Sequence, residues 1–491
     1  MYSLKKLTFC LALFFNAAHV GAEPMPVKAD EPWQANKNSL SKHHVPEWLL
    51  DAKIGVQFVG ERLDMDDTTA YHWMNAAQRV RKLGYKESDD ALRKHVDDFS
   101  VVGRNRGHKV PYVFTQEAPA KIDLNKMMRA YQATGAKFLV SQVQGAYPGA
   151  EGLLMLEEEI AAARQFGFHI GLHNNLLNRE TQPSAGDPGY VNYYQNRLRS
   201  AIETHQAEFV FFDGAMTSPN YFQTFQTVAW YYNWAEKNGI KVWVNDDFGK
   251  PLNEKIGHSD VIDHEGFTMS GVADHAWVNW DTLRNEWTCW VNEFGNHRRS
   301  GERWTWQYRK AENVLQIFLY NVSIGGVWIA QIDNTKQAWS IMDEIGDWLS
   351  INGEAIYNTR PVAKVDPKAY RLPDKKHTPI DPSLGDMPMD GVGHWFWRWQ
   401  QTLAWAKKQG PIYTTVSKNG GIAYAIHMGK PVGDITVKGI VPAKNSTIRL
   451  LGSDQTLTWD MNAGKLVIHV PSKLSKSLEK QYAYSFKISI E

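Results

Sequence analysis

Short apolar runs, each closed by polar or turn-forming residues, recur along the first three-quarters of the chain. Ile54-Gly55-Val56-Gln57-Phe58-Val59-Gly60 is the first, and 135–142, 168–173, 240–244 and 325–332 repeat its form. The clearest is Glu208-Phe209-Val210-Phe211-Phe212-Asp213-Gly214, in which four apolar residues lead to one carboxylate and a glycine. Such runs read as strands buried on both faces. Between them, helical periodicity covers 124–134, 154–166, 190–204, 222–238 and 311–322. The stretch 154–166 is acidic at its start, carries Arg164 near its end and stops at Gly167, the charge order a helix dipole favours. Residues 61–120 are polar and charged and read as helix and loop. Strand and helix therefore alternate at the spacing of a (β/α)₈-type barrel, with its site at the C-terminal strand ends. A doubly wound open sheet is the rival arrangement, but no Gly-rich dinucleotide fingerprint accompanies it.

The pattern changes near residue 361. Residues 361–410 are rich in Pro, Lys and Trp, with 391–405 strongly aromatic. From Ile412 onward the period becomes two, over 421–427, 434–441, 447–451, 465–470 and 482–490, with turns at Asn419-Gly420 and Ala463-Gly464. This predicts a C-terminal antiparallel β-sandwich over 411–491, after a catalytic barrel over 23–360 and a linker or insert over 361–410.

The first 22 residues carry an address. Lys5 and Lys6 precede the apolar stretch 7–15, and Val20-Gly21-Ala22 offers small residues for cleavage near Ala22. A Sec-type signal peptide is expected, and with it a periplasmic or secreted location; a retained anchor is the weaker alternative. Cys10 lies in that leader, so the mature chain keeps Cys289 alone and relies on its core instead of disulfides. Without Lys5 and Lys6 the chain holds 52 basic against 53 acidic residues, a balance that does not point to nucleic acid. Its 20 Trp residues suit sugar faces as well as cores, and core packing is their ordinary use. Trp243 and Trp328, on predicted strands, are expected in the core.

Candidate chemistry sits in the carboxylates near predicted strand ends: Asp213, Asp246, Asp247, Asp260, Asp263 and Glu265. Glycoside hydrolysis needs two carboxyls, one to attack or activate water and one to protonate the leaving oxygen. His-Glu-x-x-His and paired-Cys spacings are absent, which gives zinc no support, and Ser141 and Ser218 lack a nucleophile-elbow setting. A calcium ion held by strand-end acids is a minority reading. No metal or cofactor is expected, and the partner is a carbohydrate substrate.

The block Ile345-Gly346-Asp347-Trp348-Leu349-Ser350-Ile351-Asn352-Gly353-Glu354-Ala355-Ile356-Tyr357-Asn358-Thr359-Arg360-Pro361 resembles the barrel-exit signature of the α-L-fucosidases of glycoside hydrolase family 29. Val322-Ser323-Ile324-Gly325-Gly326, Asp51-Ala52-Lys53-Ile54-Gly55, Gly135-Ala136-Lys137-Phe138 and Leu450-Leu451-Gly452 are similar to further blocks. Phe212-Asp213-Gly214 matches the family's nucleophile motif. The resemblance implies Asp213 as nucleophile and Glu265, which closes the Asp260-to-Glu265 stretch, as general acid and then base. His264 is the alternative acid/base, since related endo-acting fucan hydrolases use a histidine.

Other positions depart from the family. Its His-Trp-Gly is Val59-Gly60 here, after Gln57 and Phe58. Its Lys-His-His-Asp-Gly-Phe becomes Gln142-Val143-Gln144-Gly145-Ala146-Tyr147, its Tyr-Tyr-Ser becomes His173-Asn174-Asn175, and the Arg of Asn-Asp-Arg becomes Asp247. Gln57, Gln142, Gln144, His173, Asn174, Asn175 and Asp247 are thus the expected sugar contacts, in a shell rewritten for a changed sugar or substitution. The implied activity is a secreted retaining exo-α-glycosidase that releases α-L-fucose or a related sulfated or anhydro sugar. An endo-acting fucan hydrolase and a catalytically silent sugar-binding protein are the alternatives.

Overall fold

The computed structural model describes residues 45–58, 124–143, 151–176, 186–213, 219–248, 261–264, 266–283, 308–332, 336–372 and 393–490. The leader and the stretch 61–120 lie outside them.

Eight strands form one parallel sheet: β1 (Ile54–Phe58), β2 (Phe138–Gln142), β3 (His169–Asn175), β4 (Phe209–Asp213), β5 (Trp243–Val244), β6 (Ile262–Asp263), β8 (Trp277–Thr282) and β9 (Val327–Ile332). Their order is β5-β4-β3-β2-β1-β9-β8-β6. A parallel bridge between Asn245 and Val261 joins the two edges and closes the ring. β7 (Thr268–Met269) stands apart.

Helix α1 (Glu47–Ala52) leads into β1, and the other barrel helices lie outside this ring: α2 (Leu124–Ala133), α3 (Glu151–Gln165), α4 (Tyr190–His205), α5 (Pro219–Phe222), α6 (Thr224–Asn238), α7 (Ala311–Ser323) and α8 (Lys336–Asn352). The sequence predicts one helix over 222–238; α6 instead starts at Thr224, and Gln223, with a positive φ of 52°, separates it from α5, which ends at Phe222. Between β6 and β8 the chain makes β7 in place of a barrel helix.

Strand alternation sorts the side chains into two layers. Phe138, Val140, Phe209, Phe211, Trp243 and Trp280 fill the inside, and Leu49 and Ala52 of α1 complete the same cluster. Val210, Phe212, Leu172 and Trp328 face the helices. Trp243 and Trp328 are therefore both core. The interior needs small residues opposite its large rings. A Cβ on Gly171 would fall 1.9 Å from the Phe209 ring, and one on Gly55 2.1 Å from Phe138. Fully burying each such ring contributes about 1.5–3 kcal/mol.

β10 (Thr359–Pro361) opens the second sheet, and β11 (Arg371–Leu372) pairs with β7. Within 361–410 the structure adds α9 (Gly393–Lys408), which lies on the barrel: Trp405 Nε1 donates to the Tyr320 hydroxyl at 2.9 Å.

The remaining strands are β12 (Ile412–Ser417), β13 (Ile422–Met428), β14 (Gly433–Val437), β15 (Ile448–Leu450), β16 (Thr456–Asn462), β17 (Lys465–Val470) and β18 (Ala483–Ser489), with α10 (Ser472–Ser477) before the last. All pairings in this sheet are antiparallel, in the order β10-β12-β13-β18-β15-β16-β17-β14. β16 pairs with β15 through its first residues and with β17 through the rest, so it carries the chain from one layer to the other. Ile435, Ile448, Leu466, Ile468 and Phe486 fill the space between. β16 is the strand the sequence reading passed over, because most of its side chains are exposed and it lacks an apolar stripe.

Candidate active site

Every barrel strand delivers its last residues to one rim. Along β4, Phe209, Phe211 and Asp213 alternate onto the inner side, so the carboxylate stands above two aromatic layers. Below, Phe209 stacks on Trp243 at 4.5 Å; above, Phe211 meets Trp280 edge-on at 4.4 Å. The His173 ring lies against Trp280 at 5.0 Å. Its Nε2 is 3.6 Å from Asp213 Oδ2, with the histidine side chain 7% and the aspartate 28% exposed. That separation is long for a hydrogen bond and short enough for attraction when the imidazole is protonated. A buried imidazole thus stands beside a carboxylate that solvent and ligand can reach.

The peptide that carries Asp213 is held from both sides. The Leu176 N–H donates to the Asp213 carbonyl at 2.8 Å, from the β3 side. On the other side β5 stops at Val244, and the Asn245 carboxamide replaces the missing ladder. Its Oδ1 accepts from the Phe212 N–H at 2.7 Å, and its Nδ2 donates to the Phe212 carbonyl at 2.9 Å. The next residue works on the neighbouring strand: Asp246 Oδ1 accepts from the Asp263 N–H at 2.7 Å.

Across the barrel, Gln57 and Gln331 are register partners on β1 and β9, and Gln331 Nε2 donates to Gln57 Oε1 at 2.9 Å. Gln57 is fully buried, and its Nε2 finds no acceptor among the described residues. An amide donor left in that state suits a hydroxyl-bearing ligand.

The remaining predicted contacts divide. Gln142 ends β2 in register with His173, and Asn175 ends β3 in register with Asp213. Asn174 departs from expectation. It shares the parity of Leu172 and pairs with Phe212, which places it in the sheet–helix layer and away from the inner rim. Asp247 is buried on the single helical turn Asp246–Phe248 that follows β5. Gln144 and Glu265 lie outside the described residues.

His264 follows β6 and is buried, with its ring edge-on to Trp277 at 5.3 Å. Trp277 belongs to the outer layer, so this histidine is turned from the Asp213 side. The inward position at that strand end belongs to Asp263, which is buried and in register with Val278 of the inner cluster. Among the described residues no group of three or more His, Cys, Asp or Glu is placed to hold a metal ion.

The sequence reading did not single out Trp280, Gln331 or the Asn245 carboxamide. A period-two count across Trp277-Val278-Asn279-Trp280 and Ile329-Ala330-Gln331 was the signal for the first two. Asn245 enters the sequence reading as the first residue of the segment matched to Asn-Asp-Arg, but nothing local marks its carboxamide for Phe212, 33 residues away.

A family model described as alpha-L-fucosidase matches residues 91–354, and one described as its C-terminal domain matches 407–489. The chain belongs to the α-L-fucosidase family. The alpha-L-fucosidase of Dictyostelium discoideum is 24% identical over 230 residues, 43% of this chain and 47% of that protein. The tissue alpha-L-fucosidase of Homo sapiens is 21% identical over 311 residues, 60% and 53% of the two chains. The chain thus spans about half the length of these curated relatives. The solved Thermotoga maritima alpha-fucosidase in complex with fucose covers 92% of this chain and 98% of its own, at 16% identity and a TM-score of 0.55. At that identity the likeness establishes the barrel followed by a sandwich.

Proposed function

We propose that this chain is a retaining exo-α-glycosidase that releases α-L-fucose, or a sulfated or anhydro relative of it, from oligo- or polysaccharides. The observation that carries the reading is Asp213: an inward carboxylate at the rim, partly exposed, over an aromatic floor and beside His173. In this reading Asp213 attacks the anomeric carbon while the bond to the glycosidic oxygen breaks. Glu265 gives that oxygen its proton. Glu265 then takes a proton from water as the water oxygen displaces Asp213, which returns both carboxyls to their starting forms. Two displacements leave the anomeric configuration as it began. Membership of the α-L-fucosidase family and the names of the relatives support fucose as the sugar class.

Gln57, His173 and the ends of β2 and β3 supply the sugar contacts in this proposal. The endo-acting alternative draws less support, because the His264 ring packs on Trp277. A secreted or periplasmic location belongs to the same proposal and rests on the sequence of residues 1–22.

The test is product analysis with the purified chain on α-L-fucosides and sulfated fuco-oligosaccharides, read by chromatography and by proton NMR of the first-formed anomer. A monosaccharide of retained configuration is expected. Oligosaccharide products would favour endo action, and binding without turnover would favour the silent protein.

A further inference from the structure

We infer that Asn245 and Asp246 are a pair of positioning residues that together set the distance between the Asp213 strand end and the β6 strand end; the inference rests on the proposed roles of Asp213 as nucleophile and Glu265 as acid and base. Both are almost fully buried, at 0% and 6% exposure, although neither lies on a regular strand. Consecutive residues of one short turn reach opposite ways around the ring. Asn245 grips both the N–H and the C=O of Phe212, one residue before Asp213. Asp246 takes the Asp263 amide, two residues before Glu265 in sequence. The ring itself closes here, since the backbone of Asn245 bridges to Val261.

The chemistry of the pair fits the task. A carboxamide offers one donor and one acceptor, as a strand backbone does, so Asn245 can stand in for a ladder residue that β5 lacks. A carboxylate oxygen is an acceptor, and what Asp246 takes from Asp263 is an N–H. Retaining hydrolysis needs its two carboxyls about 5–5.5 Å apart, and misplacement by about 1 Å costs on the order of 10²-fold in rate. Among the described residues the β5–β6 seam is the ring's weakest join, carried by the single bridge between Asn245 and Val261. Side chains that pin both strand ends to one turn keep that gap constant.

The test combines hydrogen–deuterium exchange with kinetics on the full chain, using Asn245→Leu, Asn245→Asp, Asp246→Ala and Asp246→Asn. Asn245→Leu should speed exchange at the Phe212 amide and leave the Asp263 amide protected; Asp246→Ala should do the reverse. Asp246→Asn keeps an acceptor and should restore protection at Asp263. Asn245→Asp keeps the acceptor and loses the donor, so the Phe212 amide should stay protected even if the leucine variant does not fold.

In turnover, Asn245→Leu should lower kcat on the order of 10²-fold for aryl and alkyl α-L-fucosides alike, with KM little changed. Asp246→Ala should slow alkyl fucosides, whose leaving oxygen needs a proton, far more than dinitrophenyl fucoside. Equal exchange increases at both amides, or identical losses across leaving groups for both residues without recovery in Asp246→Asn, would overturn the inference. A wild-type chain without turnover on any fucoside, but with the site-specific exchange pattern, would overturn the proposed reaction and leave the clamp standing.

Discussion

A carboxylate works as a nucleophile when it is aimed and reachable, and the residues around Asp213 serve both requirements. Leu176 and Asn245 fix the peptide from which the side chain springs. Phe211 and Trp280 form an apolar floor that leaves the outward direction open. His173 stands 3.6 Å from Oδ2 and is itself backed by aromatic rings on its inner side. Replacing it with alanine removes that neighbour and leaves Asp213 on its strand. His173→Ala should lower kcat/KM on the order of 10- to 100-fold, a loss of about 1.4–2.7 kcal/mol in transition-state stabilisation, while the melting temperature stays close to wild type. Steady-state kinetics beside a thermal melt checks both halves.

Three buried ionisable groups, Glu159, Asp281 and Arg309, stand on or beside the barrel elements. Ser141, on the outer face of β2, donates to Glu159 of α3 at 3.0 Å. Burial outweighs that bond and pushes the Glu159 carboxyl from its ordinary 4.5 up to about 7. A carboxyl raised in the folded chain keeps its proton longer than in the unfolded one. The stability it contributes is fully present below about pH 4.5 and is lost as pH rises through about 7. The difference amounts to about 3 kcal/mol. Glu159→Gln should therefore match wild type near pH 4.5 and exceed it by up to about 3 kcal/mol above pH 7, as urea melts across that range would show.

On the far side of the barrel, Asp281 of β8 and Arg309 before α7 form a two-bonded pair, both side chains under a tenth exposed, with Arg309 Nη2 3.0 Å from Oδ1. The guanidinium also lies over Trp399 of α9 at 4.9 Å. Arg309→Met strands a buried carboxylate and should cost about 3–5 kcal/mol in denaturant melts. Adding Asp281→Leu should recover most of that loss.

At the scale of the whole molecule, barrel and sandwich share buried hydrogen bonds. Trp348 Nε1 donates to the Ala483 carbonyl at 2.8 Å, and Thr415 Oγ1 to the Ala355 carbonyl at 2.7 Å. Much of this architecture was legible in the sequence. β2, β4 and β9 are buried on both faces and so appear as apolar runs. β8 was harder to read, because Trp277-Val278-Asn279-Trp280-Asp281-Thr282 interrupts its apolar residues with polar ones whose partners are remote. Asn279 donates to the Phe267 carbonyl and Asp281 holds Arg309. The site divided on the same ground. Asp213 and His173 follow from strand ends and parity, whereas Asn174, one residue on, faces the helices. The apolar run 240–244 announces where β5 stops, but the grip of Asn245 on Phe212, 33 residues away, has no local pattern.

The central claim is covalent attack by Asp213, and a 2-deoxy-2-fluoro-fucosyl substrate with an activated leaving group tests it most directly. The fluorine slows release of the glycosyl ester, so the adduct accumulates for peptide mapping by mass spectrometry. The account predicts one sugar per chain on the peptide that contains Asp213, and no adduct in Asp213→Asn, whose turnover should fall on the order of 10⁴-fold or more. An adduct on another residue, or turnover with inverted configuration and no adduct, would contradict it.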